Sequence, residues 1–263
     1  MPKHCFVFVL IAGAGCSRDS GLPTFNEVPD YLKLCNPRAL RETPEQFHEF
    51  FLGAKRRYES TAPHAGYAAL RRLCERPRRD TFLVTSNVDR ALQTAGLPEV
   101  VEIHGNAFLW QCAAPCCRDT FPAPEAASEA HCPACGGAAR PNVLLFEDTA
   151  WLGGEQMAAV AAFAARTRRA MAADPALRLV CLEIGAADRV PTIRTLSEDL
   201  LAQLAASGAA FEDPRVEPVP RAHLVRVNPD PLLAGIVRES AKHLQPLLIS
   251  LQTGAKDALL AIE

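Results

Sequence analysis

Four cysteines in the middle of the chain carry the most specific chemical signal in the sequence. Cys112-x3-Cys116, then fifteen residues, then Cys132-x2-Cys135 has the two-knuckle spacing of a tetrahedral four-thiolate zinc site. Cys117 is an alternative to Cys116, because both lie within reach of the knuckle turn. Four thiolates fill the coordination sphere, so such a zinc is structural rather than catalytic. A second signal lies near the start, where Phe6–Ile11 is an apolar, β-branched run followed by GAGCSRDSGLPTF from Gly13 to Phe25. Glycines at 13 and 15 permit a sharp turn and close backbone approach, and amides at a helix start suit a pyrophosphate. Ser17, Asp19 and Ser20 add short polar side chains where a dinucleotide would lie. The third glycine of GxGxxG would fall on Arg18, so the dehydrogenase fingerprint is not met. The stretch is a nucleotide loop of another type or an ordinary strand-to-helix turn. Cys16 sits within it, beside groups that could make a thiol reactive. His104, followed by Gly105, stands at a strand end without a serine or cysteine nucleophile motif. A neutral imidazole there can accept a proton near pH 7, and Gly105 would leave room for a substrate. Asn87 and Asp89, two apart at another strand exit, can hydrogen-bond a ribose hydroxyl and a carboxamide, or simply cap a turn.

These residues need elements to hold them. Helical patterns run from Glu45 to Tyr58, with Phe47, Phe50, Phe51 and Ala54 on one side, and from Ala65 to Arg76, with Tyr67, Leu70 and Leu73. Strands are predicted at Thr81–Thr85, Val100–Ile103, Asn142–Phe146, Leu179–Ile184 and, as the last one, Leu224–Val227. Glu155–Ala173 reads as an Ala-rich helix, residues 208–221 as a loop rich in proline and charge, and the C-terminus as helices. Strands alternating with helices imply an α/β fold, a doubly wound parallel sheet whose ligands collect at the carboxyl ends of the strands. Gly13, Asn87, Asp89, His104, Gly185 and Asn228 all sit at such ends.

At 263 residues, with 49% hydrophobic and 22% charged residues, the chain suits a globular protein of one large domain with a satellite, or of two modest domains. The net charge of −2 gives no electrostatic case for specific nucleic-acid binding, and no apolar run approaches a membrane span. Cleaving the short apolar N-terminus as a signal peptide would destroy the glycine loop, so it is read as mature sequence of a cytoplasmic protein. Ten cysteines clustered this way speak for metal rather than disulfides. Cys5, Cys35, Cys74 and Cys181 are read as small core residues.

Taken together, the motifs resemble the sirtuins, NAD-dependent protein deacylases. GAG-x-S-x-x-SG-L-P-x-F, TSNVD, Glu102-x-His104-Gly105, the four cysteines, Arg140-Pro141-Asn142-Val143, Gly185 and Val227-Asn228 occur in the family's order. TSNVD and EIGAA-x-x-x-PTIR look most like a bacterial subgroup. The resemblance implies a Rossmann-like NAD-binding lobe from residues 1–26, 81–108 and 142–263. It adds a smaller lobe made of a helical insertion (27–80) and a zinc-binding module (109–141). It implies that Gly13, Ala14, Gly15, Ser17 and Ser20 cradle NAD and that Phe25 covers the reacting ribose. Asn87 would hold the nicotinamide ribose and Asp89 the carboxamide. Gly185 would meet the phosphates or adenosine, Asn228 the adenosine ribose, and Ala255 and Lys256 the adenine. His104 would be the general base. In the family reaction the acyl oxygen of a modified lysine attacks the ribose C1′, nicotinamide leaves, and the acyl group ends on ADP-ribose. The partners implied are NAD as co-substrate, one structural zinc and an acyl-lysine protein or peptide.

Several positions depart from the family pattern. P-D-F-R reads Pro23-Thr24-Phe25-Asn26, the glycine after Asp89 is Arg90, and F-G-E is Phe146-Glu147-Asp148. The serine of G-T-S is Ala187. An NAD glycohydrolase, an ADP-ribosyltransferase or a non-catalytic NAD or ADP-ribose sensor would use the same pocket. The Tyr-x-x-Arg pair of sirtuins that prefer acidic acyl groups aligns with Phe51 and Ala54, so neutral acyl groups are expected; a one-residue shift would substitute Lys55 for Ala54.

Overall fold

The computed structural model describes residues 6–77, 79–97, 99–205, 220–235 and 237–262. Cys5 and most of the loop expected at 208–221 lie outside them. Strand β1 (Phe6–Ala12) leads through short 3₁₀ turns into α1 (Tyr31–Leu34), α2 (Pro37–Glu42), α3 (Pro44–Ser60) and α4 (Ala65–Glu75). Then come β2 (Arg79–Thr85), α5 (Ala91–Thr94), β3 (Val100–Glu102), β4 (Gly105–Cys112), β5 (Phe121–Pro122) and β6 (Ala139–Val143). The chain continues with α6 (Glu155–Ala173), β7 (Arg178–Ile184), α7 (Thr192–Ala205), β8 (Ala222–Val227), α8 (Pro231–Gly235), β9 (Leu248–Leu251) and α9 (Ala255–Ala261).

The large sheet has the order β3-β2-β1-β7-β8-β9, and every pairing in it is parallel. Numbered along the chain, its six strands run 3-2-1-4-5-6, the doubly wound order, which reverses between β1 and β7. β1 is apolar on both faces because helices cover both. Val7, Val9 and Ile11 pack in one core with Phe163 of α6 and Leu200, Leu201 and Leu204 of α7. Phe8, Leu10 and Ala12 pack in the other with Tyr67 and Leu70 of α4 and Leu259 of α9. Burying each large apolar side chain contributes about 1.5–3 kcal/mol.

Two strand readings need correction. Leu224–Val227 does not end the sheet: β9 follows it, pairing Leu224 with Leu248 and Val227 with Leu251. A four-residue apolar run just after Pro246 has no period of its own, so its strand character comes from the free edge of β8. The strand expected at Asn142–Phe146 lies earlier, at Ala139–Val143, and belongs to a second, three-stranded antiparallel sheet of order β5-β4-β6. The small sheet shares its core with α3: Phe47, Phe51 and Leu52 pack with Trp110, Ala139, Val143 and Leu145. Helix α4, expected within the helical insertion, packs instead on the large sheet.

The chain crosses between lobes at Ile103–His104 and returns between β6 and α6. The return is pinned by a buried ion pair of Arg140 with Asp148, whose carboxylate also accepts the Ala150 amide at 3.0 Å. Gln111 donates to the Ala150 carbonyl at 2.7 Å and accepts the Leu152 amide at 2.9 Å. Trp151 Nε1 donates to Asn142 Oδ1 at 2.7 Å.

In the small lobe the thiols of Cys112, Cys116, Cys132 and Cys135 all lie within 4.8 Å of one another. Cys112 and Cys135 sulfurs are 3.7 Å apart, and those of Cys116 and Cys132 are 3.6 Å apart. A zinc–sulfur bond of about 2.3 Å gives a tetrahedral edge of about 3.8 Å. The four sulfurs therefore fit one zinc, and Cys117 is outside the set. Cys35 and Cys181 are buried as expected of core thiols, and Cys74 is half-buried.

Because free energy of structural zinc binding is folding free energy, Cys116→Ser should lose the metal and lower the melting temperature, whereas Cys117→Ser should keep both. Zinc content by atomic absorption alongside a thermal melt checks this, and metal loss in the Cys117 variant would reassign the ligand.

Candidate active site

The site grows from the point where strand order reverses. There the loop after β1 lies directly on the end of β7. Gly13 N–H donates to the Ile184 carbonyl at 2.9 Å, and Gly15 N–H to the Gly185 carbonyl at 3.1 Å. A Cβ on Gly13 would stand 2.7 Å from the Gly185 oxygen, and one on Gly15 would stand 2.7 Å from the Gly185 Cα. Gly185 itself has a left-handed φ of +67°, and a Cβ on it would meet the Cys16 nitrogen at 2.4 Å. Both amides are thus spent on β7, and the two glycines serve close backbone approach. Nor does the loop open an α-helix. It makes two 3₁₀ turns, Ala14–Cys16 and Arg18–Ser20. Cys16 is fully buried beneath them, and burial pushes its thiol up to about 12, so no reactive thiolate forms there.

Ser17 is the centre of a polar network. Its hydroxyl donates to Asp89 Oδ2 at 2.6 Å and lies 3.0 Å from the Tyr67 hydroxyl. Asn87 Nδ2 donates to the Gly13 carbonyl at 3.1 Å and to Ser17 Oγ at 3.3 Å. Thr85 Oγ1 donates to the Ala12 carbonyl at 3.0 Å and accepts the Asn87 amide at 3.0 Å, which locks the ends of β1 and β2 together. Asp89 Oδ1 accepts the Ala91 amide at 2.9 Å, yet burial raises the Asp89 pKa above the ordinary carboxylate value. Arg90, next in the chain, holds a left-handed φ of 58° although it is not glycine.

His104 occupies the two-residue crossing between lobes. Its carbonyl accepts the Leu144 amide at 3.0 Å, tying it to the returning strand. Burial lowers the pKa of its ring below 6.5, opposed by a hydrogen bond to the Ser86 backbone, so the imidazole is neutral at pH 7. Gly105 makes no room for a ligand, contrary to the sequence reading. Its φ is +71°, and a Cβ there would stand 1.9 Å from the Asn142 carbonyl oxygen. The absent side chain admits β6.

Between the lobes lies a cleft of about 600 Å³. Gly13, Ala14, Ser17, Phe25, Asn87, Asp89, His104 and Gly185 all line it. Gly15, Ser20, Asn228, Ala255 and Lys256 are not among its lining residues. Ser20 Oγ accepts the His64 amide at 2.9 Å, Asn228 Nδ2 donates to the Ala186 carbonyl at 2.8 Å, and the Lys256 amide donates to Asp19 at 2.8 Å. Ala255 is buried in the core beside α4. Sequence reasoning missed Tyr67 and His64. Helical spacing put Tyr67 on an apolar face, and nothing local announces that its hydroxyl meets a loop fifty residues earlier. His64 Nε2 lies 3.1 Å from the Cys16 carbonyl, and its ring packs on Tyr67 with centroids 4.5 Å apart.

Since a Cβ on Gly185 would overlap the Gly15–Cys16 backbone at a left-handed φ, Gly185→Ala should cost about 1–3 kcal/mol of stability and weaken NAD binding by at least about tenfold. Thermal denaturation and calorimetric titration with NAD measure both; an alanine variant with unchanged affinity would show that the contact is dispensable.

Residues 13–165 match the family model described as the Sir2 family. An NAD-dependent protein deacylase of Thermus thermophilus is 35% identical over 184 residues, 65% of this chain and 72% of that protein. A solved Sir2 homologue–NAD complex superposes with a TM-score of 0.65 at 21% identity, covering 97% of this chain and 86% of the other. A Sir2 structure bound to a propionylated peptide gives a TM-score of 0.66 at 18% identity, covering 98% and 91%. At those identities the structures establish the shared fold. The family model spans more than half of the residues and both lobes, and the chain belongs to the Sir2 family.

Proposed function

We propose that this chain is an NAD-dependent protein lysine deacylase that moves an acyl group from lysine to ADP-ribose and releases nicotinamide. The observation that carries the reading is a neutral imidazole, His104, in one cleft with Asn87, Asp89, Ser17 and Gly185. In this reading Gly13, Ala14, Ser17 and Gly185 contact NAD directly, Phe25 covers the reacting ribose, and Asn87 and Asp89 hold the nicotinamide riboside. Gly15 acts by letting the loop reach β7. Ser20, Asn228, Ala255 and Lys256 act at the cleft's margin, where Asn228 already braces Ala186. The reactive bond belongs to NAD, and the chain supplies geometry and a base. His104 takes a proton from a ribose hydroxyl, and its crossing position lets both lobes set its orientation. The substrate is an acyl-lysine in a protein or peptide. A cytoplasmic location accords with four thiols that must stay reduced to hold zinc. Among the described residues no helix is long and apolar enough to cross a membrane.

A base must be neutral to accept a proton, so activity falls as pH drops through the His104 pKa. Burial has lowered that pKa, which places the acid limb of kcat/KM below pH 6.5 and a plateau above it. His104→Ala should lower turnover about 10²–10⁴-fold with NAD affinity nearly unchanged. Nicotinamide, ADP-ribose and O-acyl-ADP-ribose quantified with and without acyl peptide decide the matter. NAD consumption indifferent to peptide would favour a glycohydrolase.

The cleft also bears on the acyl group. Phe51 is buried in the small-lobe core, and Ala54 lines the cleft. Lys55 turns away to Glu59 at 2.9 Å and Glu125 at 3.4 Å, so it does not stand in for the missing cation. Arg57 also lines the cleft but is solvent-exposed. A carboxylate carried inward would lack a buried partner, at a cost of several kcal/mol. Acetyl- and butyryl-lysine should therefore exceed succinyl-lysine in kcat/KM on one peptide, and a succinyl preference would overturn the assignment.

A further inference from the structure

Tyr67 stands behind the polar network of the cleft rather than in it. The residue is 1% exposed and is not among those lining the cleft. Its ring packs in the core with Leu10, Leu70 and Leu259 and against the His64 ring. From this position the start of α4 grips the loop after β1 at three points. His64 N–H donates to Ser20 Oγ at 2.9 Å. His64 Nδ1 accepts the Gly66 amide at 3.1 Å, which leaves Nε2 to donate to the Cys16 carbonyl at 3.1 Å. The third point is the Tyr67 hydroxyl, 3.0 Å from Ser17 Oγ.

Counting protons fixes the direction of every bond here. Asp89 accepts from Ser17 at 2.6 Å and from the Ala91 amide at 2.9 Å, two donors that favour its carboxylate form. Ser17 has one proton, and it lies on the bond to Asp89. Towards the phenol Ser17 Oγ is therefore an acceptor, and Asn87 Nδ2 at 3.3 Å fills its other lone pair. Tyr67, kept protonated by burial, must be the donor, and the buried Cys16 thiol hydrogen-bonded to it gives its weak S–H to the phenol oxygen. The bonds run one way, from Cys16 through Tyr67 and Ser17 to Asp89. A serine hydroxyl otherwise rotates to suit its neighbours. The phenol removes that freedom, because turning the Ser17 proton towards it would set two donors face to face. Ser17, Asn87 and Asp89 do line the cleft. A carboxylate has roughly four acceptor positions, so those of Asp89 left over suit an N–H donor such as a carboxamide.

Resting on the NAD-dependent reading above, we infer that Tyr67 is a positioning residue: by donating to Ser17 it commits the Ser17 proton to Asp89 and so orients the Asp89 carboxylate for the nicotinamide end of NAD. It touches no ligand and acts only through Ser17.

Calorimetric titration of wild type, Tyr67→Phe, Ser17→Ala and the double variant with NAD and with ADP-ribose tests this. ADP-ribose lacks the nicotinamide and keeps the rest of the ligand. Tyr67→Phe retains the ring that packs in the core. It should weaken NAD by about 3–10-fold, the range of one hydrogen bond, and leave ADP-ribose within about twofold. In the Ser17→Ala background the same substitution should change NAD affinity by less than about twofold, because the chain of bonds is already cut. An equal loss for both ligands overturns the inference, since the phenol would then serve the loop as a whole. So does an unchanged NAD affinity in Tyr67→Phe, or an effect that persists undiminished without Ser17. Where Tyr67→Phe fails to fold, Ser17→Ala alone decides: it must weaken NAD more than ADP-ribose, and equal losses overturn the inference. The deacylase reading fails separately, when wild type binds NAD but forms no O-acyl-ADP-ribose from acyl peptide; the affinity contrast then still decides the role of Tyr67. A wild type that binds neither ligand overturns both.

Discussion

Backbone against backbone at the reversal of the sheet is the constraint on which the rest of the site depends. Gly13 and Gly15 can donate to the end of β7 only because three Cβ atoms are missing from one small volume. That contact fixes where Ser17 emerges, and Ser17 then collects Asp89, Asn87 and Tyr67. Close packing leaves no slack for even one methyl group here. The polar geometry of the cleft is therefore inherited from steric necessity below it.

Beneath the same strand ends lies a buried charge network. Glu183, just before the end of β7, accepts from Arg226 of β8 at 2.6 and 2.9 Å, and Arg226 reaches on to Glu198 of α7 at 2.9 Å. Arg238 closes the group on Glu198 at 2.7 Å. Removing one partner of such a pair typically costs about 3–5 kcal/mol, because the other charge is left stranded. The network couples α7, whose Thr192 and Ile193 line the cleft, to the strands that end in Gly185 and Asn228.

The interlobe boundary shows a third constraint, paid in backbone strain. Arg90 and Glu147 both hold φ of 58°, at the two positions where the family pattern has glycine. A left-handed non-glycine residue costs about 1–2 kcal/mol, so the surrounding structure enforces both conformations. Arg90 places its guanidinium 5.7 Å from the Phe108 ring centroid, and Glu147 accepts from Asn36 at 3.3 Å. The turns are retained although the residues that make them easy are absent.

Much of this protein was legible in residue order. Cysteine spacing announced a four-thiolate site, and it could do so because the ligands sit on two short knuckles whose geometry is local. The runs Phe6–Ile11 and Leu179–Ile184 announced buried parallel strands, since only strands covered on both faces are apolar throughout. Strand-end positions of Gly13, Asn87, Asp89, His104 and Gly185 followed from the same alternation. Other features required tertiary structure. Leu248–Leu251 is a strand because β8 offers an unpaired edge, and no four-residue window encodes its neighbour. Gly105 looked like space for a ligand, and only the approach of Asn142 shows that the space is filled by protein. Cys116 and Cys117 were equivalent in spacing and were separated by where their sulfurs point. The partners of Ser17 lie fifty and seventy-two residues away. Local sequence determines which conformations are cheap; which distant groups share a volume is decided only when the whole core closes around them.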